Sequence, residues 1–344
     1  MKRDNGKRQK RPSIRKIFLI LACGILSIML VIVVAFNLMK EPPSVLKDSP
    51  SDSSSEEDVS ASAKETTEEI TSLSRKDGSY NFLLAASDQS SGNSDVIMVV
   101  NFDTVEKKVG MVSIPRDTLI NPEDGYSTYP KINSTYLKGV DNLSGAVSNL
   151  LGIPIDYYVT VDVKGFVKLI DTIGGIDFNI PVHMSYDDPV QNLYIHFEPG
   201  MTHLSGKDVL KVCRLRDNND GTLAYPDYDI GRTRVQQQVL VAVAKKMLLN
   251  PPKINTYLEI FQQYVKTDLS LGNMLWFVEP FLSLDLDSDI ASATLPGDGS
   301  VSYHKTRYCY ELSPDEVVNI VNQLVSPYVL PRTIEDMNIF VLDE

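Results

Sequence analysis

Four arginines, Arg214, Arg216, Arg232 and Arg234, fall within 21 residues of a chain that is acidic overall. A guanidinium presents a planar fork of donors that matches phosphate oxygens, so such a cluster suits a multiply charged phosphate ligand. Arg214 and Arg216 stand two apart and leave the same face of an extended segment. Asp229 is expected to be the N-cap of a helix that meets no breaker before Pro251, which sets Arg232 and Gln236 on its first turns. The helix start adds free N–H groups and a positive dipole. A second group lies upstream, Asp88 and Asp95 with Arg116 and Asp117. Two carboxylates beside an arginine suit a hard divalent cation and a phosphate held together. The plainer alternative makes the arginines solvated ion-pair partners and the aspartates turn residues.

The elements around these residues decide whether they meet. Residues 80–86, 95–101 and 109–114 are apolar runs of strand length bounded by turn residues. Their connections are short, so antiparallel hairpins are the economical pairing. That topology brings Asp88, Asp95 and Arg116 to one edge of the sheet. Further on, the pattern predicts a helix at 143–151, a strand at 157–163 and a helix at 164–173 that ends on Gly174-Gly175. A strand follows at 176–181, and 206–210 begins a helical piece that feeds Arg214. The helix after Asp229 is apolar nearly all round over 239–244 and is expected to be buried there. Residues 290–295 read as a strand and 314–324 as a helix. Alternating strands and helices imply an α/β or α+β sandwich.

Composition places this domain outside a membrane. Eight positive charges and one negative fill residues 1–16, and 17–39 then run uncharged for 23 residues. That length spans a hydrocarbon core as a helix, and the basic flank keeps the N-terminus cytoplasmic. Residues 1–16 are therefore a cytoplasmic tail, 17–39 a transmembrane signal anchor, and 40–78 a Ser- and Glu-rich linker that cannot bury a core. The tail carries +7 of the chain's −12, so the remainder carries −19. Such a field repels nucleic acid and makes the arginines local exceptions. Cys213 and Cys309 are too few for a disulfide scaffold, and the sequence leaves their pairing open. The four histidines lack metal-ligand spacing.

Assembled in order, these segments resemble the LytR–CpsA–Psr family of cell-envelope proteins. The resemblance rests on Ser94-Asp95, on Ser113-Ile114-Pro115-Arg116-Asp117-Thr118 and on Lys131-Ile132-Asn133. It continues through Asp171-Thr172-Ile173-Gly174-Gly175, Leu204-Ser205-Gly206, Asp208-Val209-Leu210 and Arg214-Leu215-Arg216, and on from Asp229 through Gly231-Arg232 to Gln236-Gln237. It implies an α/β/α sandwich with a mixed central sheet and a lipid-binding tunnel. The catalytic domain would occupy 79–250, with 251–344 packing on it or completing it. The implied activity is transfer of an anionic glycopolymer, teichoic-acid-like or capsular, from a polyprenyl pyrophosphate carrier to peptidoglycan. By the same resemblance Asp88 and Asp95 bind Mg²⁺, and Arg116, Arg214, Arg216, Arg232 and Gln236 bind the pyrophosphate. Asp229 orders the arginines, and Asp95, Arg116 and Asp229 form the catalytic set. No nucleophilic Ser, Cys or His is evident, and direct displacement needs none. The chain has Asn93 where the family has Arg and Ala86 where it has Gly. The first change removes a charge-assisted contact worth about 1.5–3 kcal/mol. Two alternatives stay open, a polyprenyl pyrophosphate hydrolase and a non-catalytic binder of lipid-linked glycans.

Overall fold

The computed structural model describes residues 39–45, 74–87, 93–227, 229–249, 259–261 and 263–342. The basic tail, nearly all of the expected anchor, most of the linker, and Asp88 lie outside the described residues. Among the described residues, no helix is long and apolar enough to cross a membrane.

The three expected apolar runs form strands β1 (Ser79–Ser87), β2 (Ser94–Asp103) and β3 (Lys108–Ser113). Helix α1 (Val140–Leu151), strand β4 (Tyr157–Asp162) and helix α2 (Val163–Thr172) follow. Then come β5 (Ile176–Ile180), β6 (Met184–Asp188), β7 (Leu193–Phe197), β8 (Gly200–Leu204) and α3 (Gly206–Arg214). The chain continues through α4 (Asp229–Leu249), β9 (Val265–Thr267), α5 (Leu271–Leu282) and β10 (Ile290–Thr294). It closes with the hairpin β11 (Gly297–Tyr303) and β12 (Thr306–Leu312) and with α6 (Pro314–Leu324). Local chemistry sets the helix limits. Asp162 accepts the Lys164 N–H to start α2, and Ser205 accepts from Asp208 to start α3. Left-handed Gly152 ends α1 at a point where an added Cβ would lie 2.1 Å from the Asp336 carbonyl.

The central sheet is mixed, in the order β10-β3-β2-β1-β4-β9. β1–β2 and β2–β3 pair antiparallel as the short connections require, whereas β4 runs parallel to β1 and β10 parallel to β3. One face carries Leu83, Ala85, Ile97, Val99, Val112 and Ile114, each at most 3% exposed, and it packs in one core with α1 and α6. The opposite face is only half covered at Phe82, Leu84, Ala86, Val96, Val100, Val159 and Val161. Register lines these side chains up in rows, Val161 beside Ala86 beside Val96, and Val159 beside Leu84 beside Met98. The layer over this face consists of α2, α3 and α4, with a core of its own that includes Ile170, Val209, Val212 and Val239. α4 meets the sheet at β3 and β10, and α2 meets it at β4. The apolar strip on β1 and β2 runs between those supports. The expected full burial of 239–244 is accordingly corrected: Val239 and Val243 are buried, while Leu240, Val241 and Ala244 are half-buried.

Residues 39–43 and 269–279 form a separate compact unit. Within it Lys40 Nζ lies 2.8 Å from Glu279, and the Glu41 N–H donates to the Gly272 carbonyl at 3.2 Å.

Candidate functional site

The end of the sheet where β2 begins and β3 finishes is built by two segments far apart in sequence. Asp95 is the second residue of β2, and Arg116 follows β3 after Ile114-Pro115. Arg116 Nη1 donates to Asp95 Oδ1 at 2.5 Å, and its Nε lies 3.6 Å from Asp117 Oδ2. The Asn133 N–H donates to the Arg116 carbonyl and the Ile132 N–H to the Thr118 carbonyl, so the 131–133 motif holds this backbone in place. Lys131 Nζ donates to Asp117 Oδ1 at 3.1 Å and reaches the carbonyls of Arg307 and Tyr308 at 3.1 and 2.7 Å. The Tyr310 N–H of β12 donates to the Asp117 carbonyl at 2.8 Å.

The start of α4 supplies the other half. Arg232, 5% exposed, donates Nη2 to Asp229 at 2.8 Å to Oδ1 and 3.0 Å to Oδ2, and Arg216 Nε lies 3.6 Å from the same carboxylate. Burial pushes the Arg232 guanidinium down to about 10; Asp229 resists the drop, Arg216 and Arg116 add to it, and Asp95 opposes it. Those four charges identify the meeting of the two segments. Arg116 Nε and Arg232 Nε are both buried donors without a hydrogen-bond acceptor, a condition that an anion relieves. Gln237, 2% exposed, fixes α4 to the sheet by donating Nε2 to Ser113 Oγ and to the Ala293 carbonyl, each at 2.8 Å. The hydroxyls of Thr233 and Thr294 meet at 2.7 Å. Gly231 lets Tyr225 lie on the first turn, since an added Cβ would stand 2.5 Å from the Tyr225 Cβ.

Several sequence expectations change here. Asp229 is the first residue of α4 rather than a cap before it, and its carboxylate is taken by Arg232 and Arg216. α3, begun at 206–210 as expected, runs on to Arg214, so Arg214 ends a helix and only Leu215 onward is extended. Arg214 and Arg216 are still both exposed on either side of buried Leu215. The Arg214 guanidinium makes no ion pair among the described residues. Arg234 turns away to Asp227 at 2.5 Å. Gln236 donates Nε2 to the Cys213 carbonyl at 3.0 Å, which ties α4 to the end of α3. Cys213 and Cys309 are free thiols, and burial pushes Cys213 up to about 12 against the pull of Arg232. His183, His196 and His203 each face surface carboxylates.

Sequence reasoning named Gln237 in the Gln236-Gln237 pair without a role, although Thr233 and Gln237 stand four apart among apolar positions and share one helix face. It quoted Lys131 and Asp117 without a role. Their bridge to the 307–308 turn carries no local sequence signal.

Among the described residues no trio of His, Cys, Asp or Glu could hold a metal. Asp95 is half-exposed and has one oxygen on Arg116. Mg²⁺ commonly takes one or two carboxylates and completes its shell with water and substrate phosphate. Asp95 beside an arginine-lined anion site fits that mode.

Fold and site together define a mixed α/β protein in which an arginine-lined sheet end adjoins a half-covered apolar face. The chain belongs to the LytR_cpsA_psr family, whose model matches residues 45–326. It is 34% identical over 65% of its length to the Bacillus subtilis polyisoprenyl-teichoic acid–peptidoglycan teichoic acid transferase TagV, spanning 56% of that protein. It is 31% identical to the transferase of the same description named TagU in Bacillus mycoides, over 64% of this chain and 68% of the relative. The crystal structure of B. subtilis TagV matches with a TM-score of 0.58 at 27% identity, over 71% of this chain and 95% of that one. A structure of TagT bound to LIIa-WTA matches at 0.56 and 25% identity, over 72% and 91%.

Proposed function

We propose that this chain is a membrane-anchored transferase that moves an anionic glycopolymer, of the teichoic-acid or capsular type, from a polyprenyl pyrophosphate carrier to peptidoglycan. The observation that carries the reading is the convergence of Arg116, Arg216 and Arg232, drawn from segments about 100 residues apart, with two buried Nε donors left without acceptors. Like charges gathered this way are unfavourable unless an anion joins them. A diphosphate suits the cluster, and the half-buried strip of Phe82, Leu84, Ala86, Val96 and Val100 suits the isoprenoid tail. Relatives named as teichoic acid transferases support the same reading.

In this mechanism a peptidoglycan hydroxyl attacks the phosphorus nearest the polymer. A new P–O bond forms, the bridging P–O bond breaks, and polyprenyl phosphate departs with the bonding pair, its oxygen taking up the proton that the hydroxyl loses. The protein's share is positioning and charge stabilisation. Arg232 and Arg116 hold the diphosphate oxygens, Asp229 orients Arg232 and Arg216, and Asp95 aims Arg116. Asp95 and Asp88 would hold Mg²⁺, which when bound would neutralise charge on the phosphate oxygens. Arg214 and Gln236 complete the diphosphate set in this proposal. Residues 17–39 anchor the chain as a single pass, with the N-terminus cytoplasmic and the folded part outside.

The test is to supply detergent-solubilised full chain with lipid-linked teichoic acid and peptidoglycan. Polymer covalently joined to peptidoglycan should appear in step with polyprenyl phosphate. Polyprenyl phosphate released without joined polymer would make the chain a hydrolase, and donor bound without release would make it a binder.

A further inference from the structure

We infer that Tyr308, on the hairpin beside the site, is a stacking platform for the glycan of the acceptor; this rests on the transferase reading above. Tyr308 is 75% exposed, among the most exposed large apolar residues described. Its backbone is left-handed at φ 56°, a conformation that costs a non-glycine residue energy and persists only when surroundings enforce it. Lys131 enforces it, donating to the Tyr308 and Arg307 carbonyls while its charge rests on Asp117. Asp117 in turn stands against Arg116. Two residues on, the backbone of Tyr310 is bonded to that of Asp117 and Leu119. The Tyr310 hydroxyl donates to the Leu295 carbonyl at 3.1 Å. The ring is thus displayed on a strained turn fastened directly to the catalytic segment.

Its place across Arg116 from the apolar strip selects the partner. Tyr310 and Leu312 of the same strand sit in the core shared with α1 and α6. The half-covered apolar strip proposed for the isoprenoid ends at Ala86 and Val96 beside Asp95, which takes Arg116 Nη1, whereas Asp117, at Arg116 Nε, leads through Lys131 to Tyr308. In-line displacement puts the attacking oxygen opposite the leaving one. With polyprenyl phosphate leaving toward the strip beside Asp95, the attacking sugar approaches from across Arg116, where the Asp117–Lys131–Tyr308 connection stands. An exposed aromatic face offers a rigid apolar surface to the C–H face of a pyranose at low entropic cost, and its hydroxyl offers a polar handle.

Tyr308→Gly separates the roles of ring and backbone, because glycine adopts a left-handed conformation without strain. With the full chain, the variant should melt no lower than wild type and keep its donor affinity. Its KM for peptidoglycan should rise roughly tenfold with kcat little changed, and Tyr308→Trp should restore it. Binding of the two proteins to isolated peptidoglycan glycan strands, with no donor present, reads the platform independently of transfer. Loss of that binding in Tyr308→Gly supports the inference even if the wild-type protein transfers nothing, in which case only the transferase reading fails. Unchanged strand binding and KM would overturn it, as would a fall in donor affinity equal to the fall in acceptor affinity, which would assign the ring to the donor's polymer.

Discussion

Arg232→Met should separate stability from function. The guanidinium is 5% exposed and held at about 10 rather than 12.5, mainly because burial disfavours its charge and two more arginines face it. At about 1.36 kcal/mol per pH unit, that corresponds to roughly 3 kcal/mol held against the charged form in the folded protein. Methionine keeps much of the volume and removes this cost, but it leaves Asp229 with only the longer contact to Arg216. The fold should therefore lose little stability or gain up to about 2 kcal/mol, a familiar outcome when a buried charge is replaced by an apolar side chain. Ligand binding should move the other way. A charge-assisted hydrogen bond is worth about 1.5–3 kcal/mol, so affinity for a diphosphate should fall roughly ten- to a hundredfold. Thermal melts of the full chain in detergent, with and without a short prenyl pyrophosphate, read both effects at once. Wild type should melt higher with the ligand, whereas the variant should melt at least as high without it and respond weakly. A variant that melts several degrees lower, yet keeps the ligand-induced rise, would show that Arg232 is a structural ion-pair partner and refute the reasoning.

Asp95→Ala should abolish transfer while leaving the melting temperature within a degree or two, because a half-exposed residue at a strand start packs little; residual activity insensitive to a chelator would remove Mg²⁺ from the mechanism. Gln237→Leu strands the Ser113 hydroxyl and the Ala293 carbonyl in a buried place, so denaturant unfolding should show a loss of about 1–3 kcal/mol. Ala86→Phe should obstruct the apolar strip and weaken binding of long-chain prenyl pyrophosphate more than of inorganic pyrophosphate, and equal losses for both probes would place the tail elsewhere. Glu198 and then Asp220 raise the His183 pKa above its ordinary value. Their contact is therefore fully present below about 6.5 and fades as pH rises through the raised value. An NMR titration of His183 should show that upward midpoint, and Glu198→Gln should lower it.

The meander of β1, β2 and β3 was legible because its runs are short, apolar and separated by turns, and that topology brought Asp95 to Arg116. The half-covered face was not legible. Phe82, Leu84 and Ala86 are as apolar as Leu83 and Ala85, so the strand reads as buried on both sides. The position of Asp229 misled for a physical reason: its carboxylate competes between backbone N–H groups and two guanidiniums, and the buried Arg232 at i+3 wins. The reading of Arg214 and Arg216 on one extended face missed that Val209 and Val212 continue a buried helical face as far as Arg214. Long-range closure left no local trace. The placement of β10 beside β3 joins segments about 180 residues apart, and Gln237 bridges them through partners 124 and 56 residues away.

That closure also imposes an order of events. β1, β2 and β3 are neighbours in the chain and pair through short loops, so their contacts form early. β10 arrives about 180 residues after its partner β3, and the Ala293 carbonyl on it is one of the two acceptors that seat Gln237. Until that edge strand docks, the helix bearing Asp229 and Arg232 has only Ser113 to fix Gln237 on the sheet. A chain that folds as it emerges from its N-terminus thus completes its sheet before its arginines converge. Half-made copies, with the apolar strip already formed, would lack the charge cluster proposed to seize a lipid-borne diphosphate.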